Sequence, residues 1–308
     1  MTSPRIVSVF GATGLQGGAV VDALLKNGTF VPRAITRDLD SEPSTKLKER
    51  GIEVVKADAL DKATLVAALR GSEAVFAVTV PVFASPSMEG KGEFVQGKNM
   101  VDAAKEVGVK FFIWTSLPSI SEISGGKYKN VVFCEEKAAV QEYLKSSGLT
   151  HASLLLPAFL ENLYTAPFQF LKSTDEGYHI DYVILKPTDK ESFAWTSRDV
   201  PAAALALLNN YTDPTKEING KAYPVVSATI SLAELAQIAE KVLGKKVLLT
   251  TAPPTGLVAL DEMFTAHGEY SGLYTDTAVP NPDLVALGMK FSSVEDFMRE
   301  ELKPRYVQ

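Results

Sequence analysis

A glycine-rich turn after a short apolar run is the feature that most constrains this chain. Residues 6–10 are almost entirely apolar, the letters GATGLQGG follow, and residues 16–26 have the pattern of an amphipathic helix. Gly11 permits a tight turn, Gly14 lets a diphosphate approach the backbone, and Gly17 lets the helix pack on the strand. The N–H groups at the start of such a helix bind phosphate. The sequence therefore predicts a dinucleotide site here, and the alternative is a glycine-rich turn that binds nothing.

Short apolar runs alternate with helical patterns through the first half of the chain. We predict strands over 6–10, 31–37, 52–58, 73–79, 110–116 and 151–157, and helices over 16–26, 45–50, 62–69, 96–107 and 131–147. This alternation is typical of a parallel sheet covered on both faces by helices. The prediction is an α/β fold, a Rossmann-type doubly wound parallel sheet with a smaller mixed α/β C-terminal lobe.

The second half of the chain is less regular. Helical patterns cover 200–208 and the segment from the Ser231 and Glu234 capping box to residue 243, and strand patterns cover 222–226 and 245–251. We expect an NAD(P)-binding domain over residues 1–157, with returning segments near 192–227. Residues 158–308 would form a lobe for a substrate or a partner.

The composition restricts the kind of partner. The formal net charge is -6 and the sequence contains no basic run, which disfavours direct nucleic-acid binding and binding to an anionic membrane. The N-terminal residues lack the pattern of a signal peptide and no stretch of 18 apolar residues occurs, so a cytoplasmic or nuclear protein is expected. One cysteine and three histidines predict neither an intrachain disulfide nor a metal site.

The end of the second predicted strand discriminates between the two nicotinamide cofactors. An acidic side chain there accepts a hydrogen bond from the ribose 2′-hydroxyl of NAD, whereas arginine pairs with the 2′-phosphate of NADP. This strand ends in Thr36 and Arg37, followed by Asp38. A guanidinium binds phosphate oxygens in a forked geometry, so NADP(H) is predicted in preference to NAD(H). The alternatives are a solvated arginine, or an Asp38 that pairs with Arg37 or binds the ribose.

Two further strand ends contribute positions by the same reasoning. Asp58 and Ala59 end the third strand, where a carboxylate can accept from the adenine amino group; Asp58 can equally form the turn before the helix N-cap at Asp61. Residues 79–81 end the fourth strand, where the backbone would run beneath the cofactor.

Several motifs occur in an informative order: GATGLQGG, Arg37 after the second strand, QGKNMVDAAKEVGVKFFIWTSL at 96–117, a helix containing Lys137, and PAFLEN at 157–162. In this order they resemble the NmrA-like family of atypical short-chain dehydrogenases/reductases, and DEMFTAHGEYSG at 261–272 resembles a pocket-lining segment of that family. The resemblance implies a Rossmann lobe, a small C-terminal lobe and an NAD(P) site. By position it implies cofactor contacts at Gly11, Ala12, Thr13, Gly14, Leu15, Gln16, Gly17, Arg37, Asp58, Ala59, Thr79, Val80, Pro81, Lys137, Phe159, Leu160, Glu161 and Asn162.

The segment FCEEK at 133–137 bears on catalysis. In catalytic short-chain reductases the tyrosine of Y-x-x-x-K exchanges the proton that accompanies hydride transfer, and the lysine holds the nicotinamide ribose. Here Phe133 replaces the tyrosine and Lys137 is kept one helical turn away on the same face. Loss of such a proton donor costs about 100-fold to 10,000-fold in rate. Ser116 matches the family's polar hydroxyl after the fifth strand, and the alternative is a strand-end serine that bonds to its own backbone. For Lys137 the alternative is a solvated lysine.

The predicted C-terminal lobe supplies candidate pocket residues. If they face the nicotinamide, they suit a small, flat, apolar aromatic ligand; they are Phe159, Tyr164, Phe168, Met263, Phe264 and Tyr270. His179 and His267 are candidate proton donors, although a loop histidine without a visible partner is usually incidental. Cys134 is interpreted as a buried, inert thiol.

Three functions remain open at this stage. The first is an NADP(H)-binding redox sensor or regulator, with a protein partner and no efficient carbonyl reduction, as the resemblance implies for some members. The second is an NADPH-dependent oxidoreductase acting on a quinone, enone, imine or phenolic substrate, with Lys137 in the site. The third is an interaction module whose nucleotide-binding lobe is vestigial, and the intact glycine turn makes it the least favoured.

Overall fold

A computed structural model of the 308-residue chain describes residues 4–80 and 92–307. The strands are β1 (Ile6–Val9), β2 (Val31–Thr36), β3 (Glu53–Lys56), β4 (Ala74–Ala77), β5 (Phe111–Ser116), β6 (His151–Leu155), β7 (Ala158–Phe159), β8 (Leu171–Thr174), β9 (Gly177–Val183), β10 (Lys190–Ala194), β11 (Lys221–Pro224), β12 (Ala228–Ser231) and β13 (Val247–Ala252). The α-helices are α1 (Leu15–Asn27), α2 (Glu42–Glu49), α3 (Lys62–Leu69), α4 (Glu93–Glu106), α5 (Ile120–Ile123), α6 (Val132–Ser146), α7 (Thr196–Asn210), α8 (Leu232–Leu243), α9 (Val258–Glu269), α10 (Pro282–Ala286), α11 (Val294–Phe297) and α12 (Lys303–Tyr306).

Seven parallel strands form the main sheet, in the order β11-β6-β5-β4-β1-β2-β3. The strand order reverses between β1 and β4, so the connections on either side of this point lead in opposite directions and leave a crevice at the carboxyl ends of the strands. The predicted doubly wound parallel sheet is confirmed. The sheet has one strand more than the six predicted from the first half of the chain, because β11 pairs with β6.

The two faces of this sheet have separate cores. Along β5, Phe111 and Ile113 face one cluster while Phe112 and Trp114 face the other, as expected when successive side chains alternate across a strand. Helices α1 and α7 cover the first face, and α3, α4 and α6 cover the second. All four of these strand residues are fully buried, which fits a strand in the middle of a covered sheet.

The second half of the chain adds two three-stranded sheets, ordered β12-β10-β7 and β13-β9-β8. Helix α8 begins with the predicted capping box, since Ser231 and Glu234 exchange side-chain and backbone hydrogen bonds. Its apolar face contacts a third cluster that includes Phe193, Trp195 and Phe297. No helix within residues 4–80 and 92–307 is long and apolar enough to cross a membrane.

Candidate cofactor cleft and adjoining chamber

The glycine turn joins β1 to α1 at the carboxyl edge of the main sheet. Gly11 has a φ of +62°, and a Cβ there would lie 2.7 Å from a methyl carbon of Val78. A Cβ on Gly17 would lie 2.4 Å from the carbonyl oxygens of Phe10 and Gly11. The N–H of Gly14 donates to the Gly11 carbonyl at 2.8 Å. The structure therefore confirms that Gly11 makes the turn and that Gly17 lets α1 pack against the end of β1.

A cavity of about 510 Å³, the carboxyl-edge cleft, runs along the ends of β1, β2 and β3. Of the residues predicted from the sequence, its lining includes Gly11, Thr13, Arg37, Asp58, Ala59 and Val80. The prediction at Pro81 falls outside the described residues. The fold thus brings the turn and the second and third strand ends together around one space.

Arg37 is exposed at this cleft. Among residues 4–80 and 92–307 it has no hydrogen bond or ion pair, and the Asp38 carboxylate accepts from the N–H of Asp40 at 2.9 Å. The Thr36 hydroxyl is bonded to the backbone of Asp38, which closes the turn after β2. The guanidinium is therefore available to a ligand, and the alternative pairing of Arg37 with Asp38 does not occur in the described part of the chain.

Asp58 faces the cleft and also forms a turn. Its Oδ1 accepts from the N–H of Leu60 at 2.9 Å, and its own N–H donates to the Thr64 hydroxyl at 3.0 Å. The neighbouring carbonyl of Ala59 accepts from the Asn99 amide of α4 at 2.9 Å. These bonds fix the strand end, while the second carboxylate oxygen of Asp58 remains for a ligand.

Lys137 is buried in the wall of a second cavity that adjoins the carboxyl-edge cleft. Its Nζ donates to Oγ1 of Thr79 at 2.7 Å and forms an ion pair with Oε2 of Glu93 at 2.5 Å. The Thr79 hydroxyl donates to the same carboxylate oxygen at 2.5 Å. Lys137 is therefore not the solvated lysine that the sequence left open. Glu93 was missed from the sequence, because an acidic residue in the first turn of a helix is common and nothing linked it to a lysine far along the chain.

Ser116 and Phe133 lie beside Lys137. The Ser116 hydroxyl donates to the carbonyl of Lys137 at 3.2 Å, and the Trp114 indole donates to the same carbonyl at 3.1 Å. The hydroxyl thus holds α6 against β5, and its contact with the local backbone, the carbonyl of Leu117 at 3.4 Å, is the longer of the two. Phe133 and Ser116 both line a second cavity next to the cleft.

This second cavity, the apolar chamber, has a volume of about 300 Å³. Val78 lines both the chamber and the carboxyl-edge cleft, so the two spaces adjoin at the end of β4. One wall comes from the main sheet and α6, with Thr79, Ser116, Phe133 and Lys137, and the opposite wall comes from the second half of the chain, with Phe168, Phe170, Met263, Phe264, His267 and Tyr274. Apolar side chains make up most of the lining.

The chamber contains some of the aromatic residues expected there and lacks others. Phe159, Phe168, Met263 and Phe264 line it. The prediction for Tyr164 and Tyr270 is wrong: Tyr164 stacks on Phe297 with ring centroids 6.1 Å apart, and Tyr270 packs against the cluster around Ile120 and Tyr128. Both tyrosines are held by neighbours on another side of their segment, which sequence spacing in irregular regions does not reveal.

The structure places the predicted cofactor contacts at residues 159–162, which follow β6, in different surroundings. Phe159 and Asn162 line the apolar chamber, as does Gln16 from α1. Leu160 is fully buried in the core. Glu161 is also fully buried, and its carboxylate accepts from the N–H groups of Thr196 and Ser197 at 3.1 and 2.8 Å. Its side chain therefore caps the N-terminus of α7, and a cofactor contact at residues 160 and 161 stays a prediction.

One of the two candidate histidines lies in the chamber wall. Nδ1 of His267 is 2.7 Å from Oε2 of Glu191, and these side chains are 13% and 2% exposed. Sequence reasoning missed Glu191, on β10, because nothing in the sequence links this acidic residue to a histidine far along the chain. His179 lies elsewhere, 3.6 Å from Asp181, beside a separate shallow groove. Cys134 lines the chamber, and burial raises the pKa of its thiol, so it remains protonated.

Comparisons with known proteins agree on one family. The model of the NmrA-like family matches residues 3–298. The NmrA-like family domain-containing oxidoreductase FrzB of Cladobotryum sp is 40% identical over 146 residues, which are 46% of this chain and 43% of FrzB. The match thus spans less than half of that relative.

Two solved structures share the fold. NmrA, a negative transcriptional regulator solved with NAD and with NADP, superposes with a TM-score of 0.78 at 17% identity, over 99% of this chain and 97% of NmrA. An NADPH-dependent quinone oxidoreductase of Escherichia coli, solved with NADPH, superposes with a TM-score of 0.71 at 23% identity, over 96% of this chain and 99% of that chain. The family match confirms the resemblance drawn from the motifs, and the chain belongs to the NmrA-like family.

Proposed function

We propose that this protein is an NADP(H)-dependent oxidoreductase that transfers hydride to a flat, apolar, conjugated substrate such as a quinone, enone or imine. The observation that carries the proposal is the apolar chamber of about 300 Å³, which is lined by Lys137 and adjoins the carboxyl-edge cleft at Val78. Pockets for small organic ligands are concave, mostly apolar and about 300–1,000 Å³ in volume.

The described residues fit a dinucleotide. The turn at Gly11 and the start of α1 suit a diphosphate. The guanidinium of Arg37, which has no partner among residues 4–80 and 92–307, suits a 2′-phosphate better than a 2′-hydroxyl. NmrA was solved with both dinucleotides, the quinone oxidoreductase was solved with NADPH, and FrzB is named an oxidoreductase. These likenesses support NAD(P) binding, and the preference for NADP(H) rests on Arg37.

Bound NADPH would supply the hydride, and this chain would supply orientation and a dry site. Lys137 is fixed by Glu93 and Thr79, so its ammonium presents a set direction to a nicotinamide ribose. Phe133 contributes only apolar surface at the position where the family's catalytic members have a hydroxyl. Substrates whose product anion is delocalised, such as quinones, need less acid catalysis and so suit this arrangement.

The proposal is tested by NADPH oxidation at 340 nm with quinones, enones, imines and aldehydes. We expect turnover with a conjugated acceptor and little with simple aldehydes. Lys137→Ala should lower kcat, but it also leaves Glu93 as a buried, unpaired carboxylate, which costs about 3–5 kcal/mol of stability. The double variant Lys137→Met with Glu93→Gln removes both charges and serves as the folded control. NADPH binding without turnover on any acceptor would contradict the proposal.

A second candidate is a redox sensor that binds NADP(H) and a protein partner. The ion pair of Lys137 with Glu93 favours it, because the hydrogen bonds of the ammonium go to Glu93 and Thr79 and leave none for a substrate. The same experiment separates the two, since the sensor binds NADPH with micromolar or tighter affinity but does not oxidise it.

A further inference from the structure

The wall of the apolar chamber contains a histidine held by a carboxylate. His267 lies on α9 and Glu191 on β10, with 2.7 Å between Nδ1 and Oε2. The other carboxylate oxygen, Oε1, accepts from the N–H of Ser192 at 2.8 Å. Gly272 has a φ of +70°, and a Cβ there would lie 2.5 Å from Oε1, so the backbone of this turn closes directly over the carboxylate. Glu191 therefore has little freedom to leave the histidine.

This geometry decides which ring nitrogen remains for a ligand. A carboxylate accepts hydrogen bonds, so Nδ1 carries the proton in its bond to Glu191. Among residues 4–80 and 92–307, Nε2 of His267 has no hydrogen-bond partner. His267 is also the single histidine among the described residues that line the chamber. A buried carboxylate behind an imidazole orients the ring and stabilises the imidazolium, as in other catalytic histidine pairs.

We propose that His267, oriented by Glu191, donates the proton that accompanies hydride transfer, in place of the tyrosine hydroxyl that Phe133 lacks. This role rests on the proposed reductase function. His267 would then be a catalytic residue that touches the substrate, and Glu191 a positioning residue that acts through it. Hydride and proton would reach the substrate from opposite walls of one chamber, the nicotinamide side and the α9 side.

The other ionisable groups of the chamber are poorer donors. The Tyr274 hydroxyl donates to the carbonyl of Leu156 at 2.8 Å, and burial raises its pKa well above the ordinary value. Burial likewise raises the pKa of Tyr182 and of the Cys134 thiol. Lys137 is paired with Glu93.

Two more acids lie near His267, Asp189 and Glu269. Asp189 lies near α9, since a Cβ on Gly268 would be 3.2 Å from its Oδ2, but that oxygen accepts from the N–H of Lys186 at 2.8 Å. Glu269 follows on the same helix and pairs with Lys127. Glu191 is therefore the carboxylate that contacts the imidazole itself.

The step balances for a quinone. Bound NADPH would supply a hydride to a ring carbon and leave as NADP⁺, and the displaced π pair would end on the carbonyl oxygen. That oxygen takes the Nε2 proton of the imidazolium, in which both ring nitrogens carry a proton, and the neutral ring keeps its Nδ1–H on Glu191. A proton from solvent then restores the imidazolium. Tautomerisation of the reduced ring then gives the hydroquinone, so the substrate gains two electrons and two hydrogens in total.

Two probes of similar size separate proton donation from hydride transfer. 1,4-Naphthoquinone needs both a hydride and a proton, whereas the 2-methyl-3,4-dihydroisoquinolinium cation needs a hydride alone. For His267→Gln we expect kcat with naphthoquinone to fall about 100-fold, the lower end of the range for a general acid, because its product anion is delocalised. We expect kcat with the cation to stay within about threefold of the wild type. Glu191→Gln should lower kcat with naphthoquinone by a smaller factor than His267→Gln does. It should leave kcat with the cation unchanged. His179→Gln, at a histidine outside the chamber, is the matched control.

Each outcome is decisive. Selective loss with naphthoquinone, with partial rescue of His267→Ala by added imidazole, supports the assignment. Equal losses with both probes indicate a structural role, and no loss with either excludes the assignment; both results leave the reductase function intact. If the wild type reduces neither probe nor any acceptor of the panel above, the proposed function fails and the role of His267 fails with it.

Discussion

Lys137, in the wall of the apolar chamber, forms a buried ion pair with Glu93. Their side chains are 9% and 1% exposed, so both charges have lost most of their water. Such a pair is maintained only when good geometry and further hydrogen bonds offset the desolvation, and here the Thr79 hydroxyl bonds to both partners. The ammonium is thereby fixed in direction, which suits a residue that holds a ribose and does not suit a mobile proton donor.

At the same scale, Arg37 should determine cofactor preference. Removing its guanidinium in Arg37→Ala takes away charge-assisted hydrogen bonds to a 2′-phosphate, each contributing about 1.5–3 kcal/mol. We expect calorimetry to show NADP⁺ affinity lower by about 10-fold to 100-fold and NAD⁺ affinity nearly unchanged. Arg70→Ala, another exposed arginine, is the matched control. Similar losses for both dinucleotides, or equal affinities in the wild type, would refute the preference.

The residues whose positions the sequence predicted well are those placed by their immediate neighbours. Gly11 and Gly17 are fixed by the strand before them and the helix after them, and Arg37 by the end of its own strand. Glu93 and Glu191 act only through partners distant along the chain, so no local pattern distinguishes them from ordinary acids. Side-chain contacts between segments therefore account for most of what the sequence could not supply at the site.

At the scale of elements, the N-terminal edge of the main sheet is tied to α7 by one carboxylate. Glu73 precedes β4 and accepts from Arg5, next to β1, at 2.7 Å, and from the hydroxyl of Tyr211, at the end of α7, at 2.6 Å. The hydrogen bond from Arg5 holds the pKa of Glu73 below its ordinary value of 4.5, and Tyr211 adds to this against the opposing effect of burial. This triad therefore joins two strands and a helix through a negative charge.

The triad makes stability depend on pH. A carboxylate whose pKa is lower in the folded state stabilises the fold above its unfolded pKa, and this contribution disappears as pH falls through the folded pKa. Glu73→Gln should lower the free energy of unfolding at pH 7 by about 1.5–3 kcal/mol, and the difference should shrink below about pH 4.5. Urea denaturation between pH 7 and pH 3 measures this. Glu53→Gln, which breaks an exposed pair with Arg33, should cost less than about 1 kcal/mol. A difference independent of pH would contradict the argument.

The start of a helix can be predicted from the local sequence only when neighbouring residues determine it. Helix α3 begins at its predicted N-cap, since the Asp61 side chain accepts from the N–H of Ala63. Helix α7 begins earlier than the predicted start at residue 200, because the buried carboxylate of Glu161 binds the N–H groups of Thr196 and Ser197. A cap supplied by the adjacent residue is visible in the sequence, and a cap supplied by a distant segment is not.

At the scale of the whole molecule, the apolar chamber exists only because two parts of the chain meet. Helix α9 forms one wall, and it is fastened to the segment before α6 by two contacts. The Glu262 carboxylate accepts from the N–H and the side-chain amide of Asn130 at 2.8 and 2.5 Å, and Glu269 pairs with Lys127. The alternation of strands and helices predicted the main sheet, but the chamber depends on this docking, which no repeating pattern encodes.

The docking of α9 should therefore control substrate binding without affecting the cofactor. Glu262→Ala removes both hydrogen bonds to Asn130, each contributing about 0.5–1.5 kcal/mol. If α9 then lies less firmly over the chamber, the KM for 1,4-naphthoquinone should rise about 3-fold to 10-fold. The kcat and the Kd of NADPH should stay close to wild type, because substrate binding in the ground state and in the transition state would weaken equally.

Steady-state kinetics and calorimetry on the same preparations check this, with Glu295→Ala as control, because Glu295 pairs with Lys241 and Arg299 and does not line the chamber. An unchanged KM in Glu262→Ala would mean that packing alone holds α9 in place. A matching loss of NADPH affinity would mean that the two spaces act as one site, because disturbing the α9 wall would then have reached the carboxyl-edge cleft through their shared boundary at Val78.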